Sequence, residues 1–233
     1  MTILSVQHLS YNFGAYWALK NVSFALEPAD FLFITGPSGA GKTTMLRLLY
    51  ADLPMVRGTA RIASFDLNRL PARNRPLLRR EVSVVFQDFK ILLHRSVFYN
   101  VAISLVVRGM PKPQIERRVR AVLRSLELDT KQDALCGELS GGEQQRVAIA
   151  RSIVVNPQVL LADEPTGNLD PDLSLRIMQI FQHFNAHGTT IILATHSPEL
   201  LHALPRAKIL HLSHGDMVPA PDSDPHCDAA FFS

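Results

Sequence analysis

A chain of 233 residues, 47% hydrophobic and 19% charged, has the composition of a globular protein with one sizeable core and room for a smaller inserted lobe. Its net charge of +3 permits an anionic partner, such as a nucleotide or a membrane surface, without requiring one. The start lacks the basic residues and long apolar run of a signal peptide, and no stretch approaches the roughly 20 apolar residues a spanning helix needs, so any membrane role is read as peripheral.

Apolar runs bounded by turn residues predict strands at residues 3–6, 22–26 and 31–35. The third runs into "GPSGAGKTT", which fits the phosphate-loop spacing from Gly36 to Thr43 and opens a helix predicted at 43–50. Gly36, Gly39 and Gly41 let backbone N–H groups converge on phosphate oxygens, and Pro37, Ser38, Ala40 and Thr44 complete the cradle. Lys42 supplies a point charge to the terminal phosphates and Thr43 a hydroxyl to Mg²⁺.

Arg69, Arg73, Arg75, Arg79 and Arg80 form a basic run that reads as a solvated helix face, with anionic lipid headgroups as the other reading. A strand follows at 82–86, and then strand signals stop. Residues 89–142 read as a helical lobe inserted between two core strands, with a helix at 115–128. The lobe closes on "ELSGGEQQR", where Ser140, Gly141 and Gly142 open a helix predicted at 144–155 and present a second set of N–H donors.

A strand at 159–162 runs into Asp163 and Glu164. An acid at the end of a buried strand suits the Mg²⁺ shell, and its neighbour suits a general base acting on water. A helix at 173–185 and strands at 189–195 and 207–212 complete an α/β core with a parallel sheet. Residues 219–233, rich in Pro and Asp, read as an unstructured tail. His211, His214 and His226 match no metal-ligand spacing. Cys136 and Cys227 are far apart and read as free thiols of a reducing compartment.

With the phosphate loop upstream and "LLADEPTGNLD" downstream, "LSGGEQQR" resembles the signature of the ABC ATPase nucleotide-binding domain. The resemblance implies an α/β P-loop NTPase over residues 1–218, with a RecA-like core, an antiparallel β subdomain and an inserted helical subdomain at about 89–142. It implies ATP and Mg²⁺ as cofactors, the metal being held by Thr43, Gln87 of "VVFQDF" and Asp163. Glu164, the switch histidine His196 and Lys42 are the catalytic residues it implies, and Asp170 ends the D-loop. The adenine-stacking aromatic aligns on Phe13, with Tyr11 as runner-up. Ser140, Gly141, Gly142 and Glu143 are implied to close over the ATP of a second copy, in a head-to-tail homodimer.

Within that family, "LLRREVSVVFQDFKILLHRSVFYNVAISLVVRG" most resembles the bacterial cell-division ATP-binding proteins. That branch implies an integral membrane partner of the FtsX type, contacted from Gln87 through the helical lobe. It implies peripheral attachment to the cytoplasmic face of the inner membrane, and control of peptidoglycan hydrolases. Cassettes of lipoprotein-release and efflux transporters (LolD- and MacB-like) stay open as an alternative. A role on nucleic acid finds no support, because the chain has neither a long coiled-coil insertion nor a second cassette.

Overall fold

The computed structural model describes residues 2–167 and 169–219. In chain order the elements are β1 (Leu4–Phe13), β2 (Tyr16–Leu26), β3 (Phe31–Thr35), α1 (Lys42–Leu49), β4 (Arg57–Ile62), β5 (Phe65–Asp66), α2 (Arg75–Glu81) and β6 (Val82–Val85). They continue as α3 (Val97–Val106), α4 (Lys112–Ser125), α5 (Gly141–Ile153), β7 (Val159–Asp163), α6 (Pro171–Ala186), β8 (Thr190–Ala194), α7 (Pro198–His202), β9 (Lys208–Ser213) and β10 (Asp216–Val218). Of the segment read as a tail only Pro219 is described; His226 and Cys227 lie outside the described residues.

Every residue of β3, β7 and β8 is buried, as continuous apolar runs require of strands covered on both faces. They form the middle of a six-stranded sheet in the order β10-β9-β3-β8-β7-β6, parallel except for β10. Alternate residues point to opposite faces. Phe31 and Phe33, Leu160 and Ala162, and Ile191 and Leu193 enter a core shared with α3, α4, α5 and α6. Leu32 and Ile34, Val159 and Leu161, and Ile192 and Ala194 enter a second core with α1 and a four-stranded antiparallel sheet ordered β2-β1-β4-β5. Each large side chain so buried contributes about 1.5–3 kcal/mol, and the two layers clamp the parallel sheet between them.

Sequence periodicity reaches the central strands closely and the antiparallel sheet poorly. The runs at 3–6 and 22–26 are only the ends of β1 and β2, whose polar residues reach solvent and whose alternation breaks at bulges. His8 and Asn21 sit there with φ of 52° and 53°, and the His8 ring meets the Asn21 amide at 2.9 Å. β4, "RGTARI", hides its strand character behind two arginines and Gly58. Between β6 and β7 lie α3, α4 and α5, with one isolated bridge, Ser96 to Leu135, as the only pairing among the described residues there. α3 is too evenly apolar to show a helical period. Ser96 caps it, accepting from Tyr99 N at 3.2 Å, and buried Asn100 ties it to the preceding loop through Leu92 N and O at 2.7 and 3.0 Å. No helix among the described residues is long and apolar enough to cross a membrane.

Candidate nucleotide-hydrolysis site

The phosphate loop leaves the carboxyl end of β3, with β9 on one side and β8 on the other. Its glycines answer to the chain's own backbone as well as to a ligand. A Cβ on Gly36 (φ 136°) would stand 2.0 Å from Leu212 O of β9, and one on Gly41 (φ 108°) 2.3 Å from Ala18 O of β2. Gly41 also caps α1 in a left-handed conformation, so Lys42 becomes the first helical residue and the free N–H groups of that turn open into the loop. The Lys42 ammonium is buried and donates to Gly36 O at 2.7 Å and Pro37 O at 3.1 Å.

Two strands away, β7 delivers Asp163, which is 6% exposed. Burial pushes its carboxyl above the ordinary range, against the pull of a hydrogen bond from Thr43. Its Oδ1 has no hydrogen-bond partner. A buried carboxylate oxygen left unpaired, beside a hydroxyl and in a cavity also lined by the Gln87 amide, is a hard oxygen donor set of the kind Mg²⁺ prefers. Among the described residues no group of three His, Cys, Asp or Glu converges. A cation here would therefore complete its shell from phosphate and water, which is how Mg²⁺ is ordinarily held beside nucleotides.

Glu164 follows with φ of 47°, a region non-glycine residues rarely enter, and it is held there from three sides. Its N–H donates to Ala194 O of β8 at 2.9 Å, and its carbonyl accepts from Gln145 Nε2 of α5 at 3.3 Å. Its Oε1 lies 2.8 Å from His196 Nδ1, just past the end of β8. Gln145 is 2% exposed, and no motif reading singled it out.

These groups share one cavity of about 500 Å³, lined by residues 37–44, Gln87, Asp163, Glu164 and His196. Gly36 underlies the loop. Phe13 does not line the cavity: it is 47% exposed at the end of β1, edge-on to buried Tyr11 at 5.0 Å. Tyr16 lines it instead, donating its hydroxyl to Gly39 O at 2.8 Å. Alignment on Gly14 favours Phe13, whereas period-two alternation along β2 puts Tyr16 on the same face as Ala18, the residue whose carbonyl abuts Gly41. Asp170 is also outside the lining and caps α6, accepting from Leu173 N at 2.9 Å. Ser140, Gly141, Gly142 and Glu143 stand apart too, at the N-terminus of α5, where Ser140 and Glu143 form a reciprocal capping box.

Known proteins resemble this chain in sequence and in fold. The profile of the ABC transporter family matches residues 19–167. The cell division ATP-binding protein FtsE of Streptococcus pneumoniae is 46% identical over 201 residues, covering 86% of this chain and 87% of its own. The protein of that name from Mycobacterium tuberculosis is 42% identical over 218 residues, covering 93% and 94%. Among solved structures, a dimeric ATP-binding cassette in a post-hydrolysis state with ADP and Pi superposes with a TM-score of 0.85 at 31% identity, covering 92% of this chain and 96% of that one. The chain belongs to the ABC transporter family of ATP-hydrolysing, nucleotide-binding cassettes, in its branch of cell division ATP-binding proteins.

Proposed function

We propose that this chain is the ATPase of a membrane complex in bacterial cell division, and that two copies close head to tail over two ATP molecules to drive an integral membrane partner of the FtsX type. The observation that carries the reading is the split between two anion-binding features. One cavity gathers Lys42, Thr43, Gln87, Asp163, Glu164 and His196, while the Ser140–Gly142 cradle stands outside it. A cradle outside the cavity of its own phosphate loop suits a phosphate held by another copy. The relatives named above are cell-division proteins, which favours this task over lipoprotein release or efflux.

In this mechanism the loop N–H groups and the positive end of α1 hold the phosphates. Lys42 turns from the Gly36 and Pro37 carbonyls to the terminal phosphates, and adenine lies toward the exposed ring of Phe13. Thr43, Gln87 and Asp163 would hold Mg²⁺, which supplies charge neutralisation of the phosphate oxygens when bound. Glu164 takes the proton of the attacking water, and His196 orients its carboxylate. The partner copy's Ser140–Gly142 donors meet the transferring phosphate, so hydrolysis waits on closure.

A groove between α2 and α3 supports the membrane coupling. It is lined by Arg79, Arg80, Lys90, Arg108 and Arg151 beside Phe86 and Val107, with no Asp or Glu. Such a surface suits an acidic, apolar-anchored segment of the partner at the cytoplasmic face of the inner membrane. The test is co-purification of the tagged chain from native membranes in mild detergent. Wild type is expected to bring down one integral membrane protein, and Arg80→Glu with Arg108→Glu to lose at least about nine-tenths of it, taking about 1.4 kcal/mol per tenfold. Nucleotide binding by the isolated variant serves as the folding control. Recovery of the same membrane protein in full by the variant would remove the groove from the mechanism.

A further inference from the structure

The signature cradle already holds an anion, and it is the chain's own. Glu143 Oε2 accepts from Ser140 N at 2.9 Å and from Ser140 Oγ at 3.0 Å, and the Glu143 N–H donates back to Ser140 Oγ at 3.4 Å. The other carboxylate oxygen, Oε1, accepts from Lys131 Nζ, on the short turn Asp129–Lys131 that follows α4. The Lys131 hydrogen bond first, and the Ser140 bonds after it, hold the Glu143 carboxyl down to about 2, so it is ionised at any physiological pH.

That charge is a difficulty for the proposed task. A helix N-terminus offers roughly half a positive charge to an incoming phosphate. A full negative charge in the same first turn overturns it and leaves the cradle net negative. Lys131 restores the sign. Because it grips the oxygen that Ser140 does not, it can also keep the carboxylate when a phosphate takes over the Ser140 donors.

We infer that Lys131 is a positioning residue for ATP-driven dimer closure: it neutralises and retains Glu143, which otherwise occupies and repels at the cradle meant for the partner copy's phosphate. The inference rests on engagement in trans as proposed above, and it concerns a residue outside the hydrolysis cavity. It differs from a direct lysine–phosphate contact in one respect. If Lys131 works through Glu143, removing the carboxylate removes the need for the lysine.

The experiment is a double-variant cycle in a Glu164→Gln background, read by sizing chromatography across an ATP titration. Lys131→Met is expected to raise the ATP concentration for half-dimerisation about tenfold, the scale of one unit charge acting on phosphate at a partly solvated interface. Added salt is expected to narrow that gap. Lys131→Met combined with Glu143→Gln is expected to return to the parent value, since Gln at this position still completes the capping box. Nucleotide affinity of the monomer and thermal midpoint report whether the fold and the chain's own cavity survive. An unshifted Lys131→Met titration overturns the inference. So does a shift that Glu143→Gln does not rescue, which would mean direct contact with the nucleotide or a loss of packing. A parent that stays monomeric at saturating ATP, in detergent with its membrane partner as well as alone, overturns engagement in trans and this inference together. A Ser140→Arg variant that dimerises like the parent removes the cradle from closure and overturns this inference, while ATP-driven dimerisation itself stands.

Discussion

Glu164→Gln is expected to bind ATP as well as the parent chain and to hydrolyse it about 10²–10⁴-fold more slowly, the range that loss of a positioned general base spans. The geometry makes the substitution a clean one. Gln is the same size, and its amide oxygen can keep the 2.8 Å contact to His196 Nδ1. The backbone restraints from Ala194 and Gln145 do not involve the side chain. What is lost is the capacity to take a proton from water. ATP is then bound but not turned over, and the closed dimer accumulates. Phosphate release measures the first effect and sizing chromatography with ATP the second. Turnover close to the parent's would sink Glu164 as the base and shift attention to His196.

Lys42→Ala is expected to fail one step earlier, at binding. Its ammonium is buried among the carbonyls of Gly36 and Pro37, at the heart of the cavity. Truncating one member of a buried charge pair costs about 2–5 kcal/mol, a loss of roughly thirtyfold to several-thousandfold in affinity for the phosphate tail. Titration of the isolated chain with a fluorescent ATP analogue measures it, and circular dichroism confirms that α1 persists. The two variants together separate roles: one chain binds without turnover, the other neither binds nor turns over. Near-normal affinity in Lys42→Ala would mean that the loop N–H groups and the α1 terminus alone hold the nucleotide.

The parts of this site that can be read from residues are those where chemistry and spacing coincide. Gly36 to Thr43 declares itself because a phosphate cradle, a lysine and a metal-directed hydroxyl must occur at that interval. Asp163 and Glu164 declare themselves because a strand buried on both faces ends on two acids. The antiparallel sheet is harder to read. β1 and β2 bend at His8 and Asn21, β4 carries two exposed-looking arginines, and β5 and β10 are too short to leave a pattern. Tyr16 is harder to read than Phe13, since only the turn between β1 and β2 carries its hydroxyl to the phosphate loop.

Gln145 and Lys131 had no signal to give. A glutamine inside a helix and a lysine on a turn are ordinary residues in sequence. Their meaning comes from Glu164 O and Glu143 Oε1, groups that tertiary folding brings to them. Gly36 is legible only in part: its motif ties it to the ligand, and the structure adds a steric demand from Leu212 of β9.

One consequence follows from the order of strands β3, β8 and β7. The cavity spans the ends of all three, with Lys42 following one, His196 the next and Asp163 closing the third, so no fragment shorter than residues 16–196 contains its whole lining. Parallel neighbours of this kind pair late, after long crossovers have been wound. Nucleotide can thus recognise only the finished molecule and adds to its resistance to unfolding, by about 2.7 kcal/mol at a hundredfold excess over Kd. The fuel of the machine is also an inspector of its assembly: a chain that has not wound its sheet to completion has nowhere to put ATP.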